Sequence, residues 1–151
     1  VPLSRTIANL NLEHMGRSDG PGAARDRIFV TGFDYSTAPA AIASSAAAIG
    51  MEARRSEEYG DLFFSRGDNI VFARQGVPAH SVCTTFLFSD YHQLGDHWEK
   101  LDYPNMARAT EAVASAVAAL ASDAREPSWN EAEPRTEPFR MARRKPPGAG
   151  R

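Results

Sequence analysis

Two short stretches of this chain carry side chains that could bind a metal or move a proton. Phe88 to Tyr103 (FSDYHQLGDHWEKLDY) holds two of the four histidines, His92 and His97, with Asp90, Asp96, Glu99 and Asp102. Asn11-Leu12-Glu13-His14-Met15-Gly16 sets a carboxylate beside an imidazole near the start. Neutral imidazole is the commonest protein ligand for zinc, and a nearby carboxylate typically fixes its tautomer. Alone, such a stretch is more often a polar surface loop. Its company matters: Arg66-Gly67-Asp68-Asn69 and Gly76-Val77-Pro78-Ala79 lie between the two.

The surrounding elements must position these groups. Arg5 to Leu12 (RTIANLNL) alternates and reads as a strand, which puts Glu13 at its carboxyl end. In open α/β sheets that edge is where ligands bind. Ile28 to Gly32 is a short apolar strand of the kind covered on both faces. Thr37 and Pro39 open a helix over Ala40 to Ile49, ended by Gly50, and Met51 to Arg55 follows as a short edge strand. Asp68 to Gln75 reads as a short helix closed by Gly76, and His80 to Phe86 as another buried strand. His80 begins that strand and reads as structural, and Cys83 within it as a small buried hydrophobe. Pro104 starts a long helix in which Met106, Val113, Val117 and Leu120 form an apolar stripe. Strands and helices interleave throughout, so the expected class is α/β with a largely parallel sheet.

With 151 residues, 42% hydrophobic and 24% charged, the chain has the composition of an ordinary globular protein. Its net charge of -2 gives no reason to expect nucleic acid as a partner. No apolar run approaches the roughly 20 residues of a membrane span. The opening Val1-Pro2-Leu3 reads as cut from something longer. Residues 124–151 carry seven Lys/Arg against four Glu and hold five of the ten prolines. That composition predicts a disordered tail after a folded 1–123, with Arg140, Arg143, Arg144 and Lys145 solvated.

The ordered series of motifs resembles the C-terminal half of the co-catalytic di-zinc aminopeptidase family. That family also holds glutamate-carboxypeptidase-like enzymes, with glutaminyl cyclases and the transferrin receptor as relatives. The matching pieces are Asn9 to Arg17, then Phe63 to Asn69 with Phe72, then Gly76 to Ala79, then Asp90-Tyr91-His92 with Asp96, Lys100 to Tyr103 and Met106. The resemblance implies a three-layer sandwich around a mixed, largely parallel sheet, of which this chain is the C-terminal half. It places one acidic zinc ligand, most often Asp in the family, at Glu13, and the last ligand, a histidine, at His92. Glutamate can still coordinate zinc at about 2.0–2.2 Å. Asp96 is then a loop-fixing group and Asp68 a local structural carboxylate, while His14 and His97 take surface or packing roles.

The resemblance further implies two zinc ions that lower the pKa of a water and polarise a peptide carbonyl. A glutamate of an adjacent Glu-Glu pair acts as general base in that family, upstream of the position of Glu13. Only twelve residues precede Glu13 here, and Glu57-Glu58 lies on the wrong side of the order. The chain is therefore expected to supply two metal ligands to a peptidase acting on peptides, without hydrolysing them by itself. A metal-free relative serving as a protein-binding module, and a glutaminyl-cyclase-like acyltransferase, are the alternatives. An extracytoplasmic location is the family-based expectation.

Overall fold

A computed structural model describes residues 2–143. Four strands form one mixed sheet in the order β1-β4-β2-β3, with β1 Asn9–Leu12, β2 Arg27–Val30, β3 Glu52–Arg54 and β4 Ala79–Cys83. β1 runs parallel to β4 and β2 parallel to β3, while β2 and β4 are antiparallel, so two of the three pairings are parallel. β4 is buried along its whole length, as its central place between β1 and β2 requires.

Alternation along β2 divides the core. Ile28 and Val30 face α1 (Ala38–Ala48) and α4 (Tyr103–Ser122), whose Ile42, Ala46, Ala109, Ala112, Val113 and Ala116 are buried with them. Phe29 points the other way, into a cluster with Cys83 and Phe86. That second face is covered by α2 (Gly60–Phe64) and α3 (Asn69–Ala73). The layers are helix, sheet, helix.

Local chemistry sets the helix ends. Pro39 lies in the first turn of α1, and Gly50 follows it at φ +70°. Thr37 does not cap with its side chain; its Oγ1 instead accepts from Ser128 N, and the Ala38 N–H goes to Ser36 Oγ. Asp102 caps α4 by accepting from Asn105 N at 3.2 Å, with Pro104 in the first turn. The stripe on α4 is rotated from the sequence expectation. The small Ala109, Ala112 and Ala116 lie against α1, and Val117 is left half exposed. Alanine permits the close helix approach, which turns Val117 and Leu120 toward Ile7 and Leu10 beside β1.

The expected tail needs correction. Residues 124–143 are packed on the domain. Trp129 is 6% exposed, pairs through its backbone with Ser36, and sends its indole N–H to Gly76 O at 2.9 Å. Thr136 is fully buried, and the ring of Phe139 of α5 (Glu137–Arg143) packs at a tilt against both Phe64 and Trp129. Two aromatic anchors suffice to seat a segment whose average composition is polar. Arg144 and Lys145 lie outside the described residues.

Candidate metal centre

β1 and β4 are parallel neighbours, so their carboxyl ends open at the same sheet edge. Glu13 is the first residue past β1, and its N–H still donates to Val82 O at 3.0 Å. Its half-buried carboxylate is held from beneath. Asn11 Nδ2 donates to Glu13 Oε1 and, at 3.1 Å, to Ser81 Oγ. Ser81 Oγ donates to Asn69 Oδ1 at 2.9 Å, and the fully buried Asn69 donates to Phe64 O at 3.1 Å. This chain of side-chain bonds fixes the carboxylate from the α2–α3 turn. Gly67 makes it possible: a Cβ there would stand 2.5 Å from Ser81 Oγ, 2.7 Å from Asn69 Oδ1 and 2.8 Å from Glu13 Oε1.

Asp68, expected as a local structural carboxylate, lies in the same turn. Asp68 is exposed, and although it occupies the N-cap position of α3 its side chain caps nothing. The turn directs Gly67 and Asn69 inward instead. Both inward residues lie within Arg66-Gly67-Asp68-Asn69, on either side of the carboxylate that faces solvent.

From Glu13 the chain turns sharply. His14 has φ +46°, a left-handed conformation rare for a residue with a Cβ. Its carbonyl accepts from the Thr84 amide, and Thr84 Oγ1 lies 2.7 Å from His14 O and 2.6 Å from Arg17 O, which ties the turn to the end of β4. The His14 ring packs edge-on against Phe88 at 5.7 Å and Tyr91 at 5.1 Å. Tyr91 is stacked on His92, with centroids 4.0 Å apart and planes at 16°. Thus the residue after Glu13 touches the aromatic ring that supports His92. His92 is exposed and also left-handed, at φ +56°. His97 is exposed, before a single 3-10 turn over Trp98–Lys100.

Arg17 is the site residue that sequence reasoning missed. Its side chain is 4% exposed, and its guanidinium binds Asp19 through two bonds (2.9 and 2.6 Å), Asp90 at 3.2 Å and Asp96 at 3.1 Å. Its Cζ lies 4.4 Å from the Phe88 ring centroid. Lys100 Nζ also donates to Asp90 at 2.8 Å; that bond, with Arg17 behind it, holds the Asp90 carboxyl below the usual carboxylate range. Asp96 thus shares the Arg17 guanidinium with Asp19 and Asp90.

Two other reactive groups belong to the core. His80 is fully buried, with Nε2 2.6 Å from Ser36 Oγ and Nδ1 2.8 Å from Thr31 O. Because a carbonyl only accepts, Nδ1 carries the proton and Ser36 donates to Nε2. Burial pushes the His80 pKa down to about 4. Burial, with a smaller push from the Glu13 carboxylate, drives the Cys83 thiol well above its ordinary value, so it offers no thiolate.

A carboxylate and an imidazole are the right donor types for zinc, which takes three or four such ligands. Among the described residues no three His, Cys, Asp or Glu side chains converge closely enough to hold an ion. Glu13 and His92 carry donor types that zinc takes, and by themselves they do not make up a ligand set.

Comparison with curated proteins and with solved structures gave no significant match. A family model described as Peptidase family M28 matches residues 2–117, a span that includes Glu13, Arg17, the Gly67 turn and the His92 loop. The chain belongs to peptidase family M28, a family of zinc-dependent peptidases.

Proposed function

We propose that this chain is part of a zinc-dependent exopeptidase of the aminopeptidase type, with Glu13 and His92 as metal ligands. The observation that carries the reading is the Glu13 carboxylate. It is set at the carboxyl edge of β1 by the Asn11–Ser81–Asn69 bonds, over a glycine that leaves it room. A surface glutamate has no need of an orienting amide that is itself tied to two buried side chains; a ligand that must be preoriented does. Zinc, when bound, supplies Lewis-acid polarisation of the scissile carbonyl and acidification of water. The chain's own residues hold donor atoms in place: Asn11 orients Glu13, and Tyr91 fixes the plane of the His92 ring. The general base and the remaining ligands come from outside the set converging here.

The exposed His92 and the lack of a three-donor cluster among the described residues favour one second reading, a metal-free relative that binds a protein partner. One substitution separates the two. In the complete parent enzyme, His92→Ala is expected to lower kcat/KM about a hundredfold or more and to reduce bound zinc measured by mass spectrometry. Near-normal turnover with unchanged zinc refutes the ligand assignment.

A further inference from the structure

His92 makes no side-chain hydrogen bond among the described residues, is exposed, and sits in a left-handed turn. The segment from Thr84 to Asp102 that carries it has a single 3-10 turn as its only regular structure. Something other than secondary structure must hold the ring. We propose that Arg17 is the positioning residue for His92: it clamps the His92 loop onto the turn that follows Glu13, so that both donor groups are presented at one sheet edge.

The contacts reach His92 by two routes. Asp90 and Asp96 bracket the histidine, two residues before and four after it, and both end on the Arg17 guanidinium. Asp19, from Arg17's own loop, takes two further bonds and fixes the plane of the fork. The second route is aromatic. The guanidinium lies over Phe88, Phe88 meets Tyr91 edge-on at 5.7 Å, and Tyr91 stacks on His92. Arg17 itself is anchored, since Thr84 Oγ1 bonds its carbonyl and the neighbouring Gly16 carbonyl accepts from Asp102 N at 2.8 Å. A Cβ at Gly16 would stand 2.6 Å from the Leu101 side chain, so the far end of the same loop closes directly over this turn.

Lysine could not replace this residue. Arg17 serves three carboxylates in different directions and presents a flat face to an aromatic ring, which requires a planar fork of donors rather than a single ammonium. Its burial adds to the demand, because a guanidinium withdrawn from water must keep its partners. Arg17 touches neither the candidate ligand atoms of Glu13 nor those of His92 in any bond described, so it acts through the loop.

The role at a metal rests on the zinc reading, but the positioning itself is tested without metal. The imidazole signals of the full chain, labelled at its four histidines, are followed by proton NMR. In the wild type, the face of Tyr91 displaces the His92 ring protons upfield. Arg17→Gln is expected to abolish that displacement, and Arg17→Lys to fail to restore it. The His80 signals and the Trp129 indole N–H, bonded to Gly76 O on the other side of the sheet, should stay where they were. If His92 keeps its displacement in Arg17→Gln with those reporters unchanged, the proposal is overturned. Should Arg17→Gln disturb the whole fold, Asp96→Ala removes one anchor at a more exposed position. Partial loss of the displacement there supports the clamp, and no change overturns it. Failure of the zinc reading would show separately, in an unchanged zinc content of the complete parent enzyme carrying His92→Ala while the Arg17 variants still release the ring.

Discussion

Trp129→Ala puts the packing of the C-terminal segment to a quantitative test. The indole is buried among Tyr35, Phe64, Ala73 and Ala79, with Phe139 at 5.0 Å and His80 at 6.2 Å. Its N–H is the partner of Gly76 O. Truncating a buried Trp to Ala costs about 3–5 kcal/mol through lost burial and the cavity left behind. In a domain of this size each kcal/mol moves Tm by roughly 2–4 °C, so the expected loss is roughly 6–20 °C. A domain stable by about 5–15 kcal/mol survives that loss in part, and the variant should still unfold cooperatively. Thermal unfolding followed by near- and far-ultraviolet circular dichroism measures it. Arg125→Ala is the control: its side chain is 91% exposed in the same segment, and no shift is expected. If Trp129→Ala also melts within a degree or two of wild type, the segment after Asp123 contributes no core and its composition was the better guide.

Two further perturbations address the interior. Burial lowers the His80 pKa to about 4, below the value near 6.5 that it regains on unfolding. The unfolded chain therefore binds the proton first as pH falls. His80 leaves stability unaffected above about pH 6.5 and costs it progressively between there and about pH 4, on the order of 3 kcal/mol in all. Urea titrations at pH 7, 5.5 and 4 should show that slope in wild type and a flatter one in His80→Gln; equal slopes would refute the buried neutral imidazole. Gly67→Ala forces a methyl against Ser81 Oγ, Asn69 Oδ1 and Glu13 Oε1, and overpacking of that kind costs about 1–3 kcal/mol. Chemical denaturation should register the loss, and an unchanged midpoint would mean that the turn relaxes freely.

Which features were legible in the sequence follows from the range of the interactions that set them. β2 shows as an apolar run because its burial is a property of consecutive residues, and Glu13 stands out because strand alternation stops there. The packed Trp129 segment was hidden because averaging over 124–151 diluted two aromatic anchors among Arg, Glu and Pro. The partners of Glu13 were hidden for a different reason. Ser81 lies 70 residues from Asn11, and Asn69 lies 12 from Ser81; only the pairing of β1 with β4 and the docking of α3 bring the three together. Arg17 was passed over because its three carboxylates include two that are 73 and 79 residues away.

The same contacts bear on the glutamate at position 13, where the resemblance favours aspartate. Glutamate has one more rotatable bond, so an unrestrained Glu13 would present its oxygens over a wider range of positions and lose more entropy on binding an ion. Here the extra length is absorbed. Oε1 is drawn down onto Asn11 and over the Cα of Gly67, and Asn11 is itself fixed by Ser81. One carboxylate oxygen is thus used to lock the side chain, and no hydrogen bond to Oε2 occurs among the described residues. A carboxylate held by one oxygen and available at the other has the restraint that a shorter aspartate would obtain from its backbone alone. The glutamate at position 13 and the close approach of Gly67 form one structural unit, which supplies the restraint that the proposed ligand role requires.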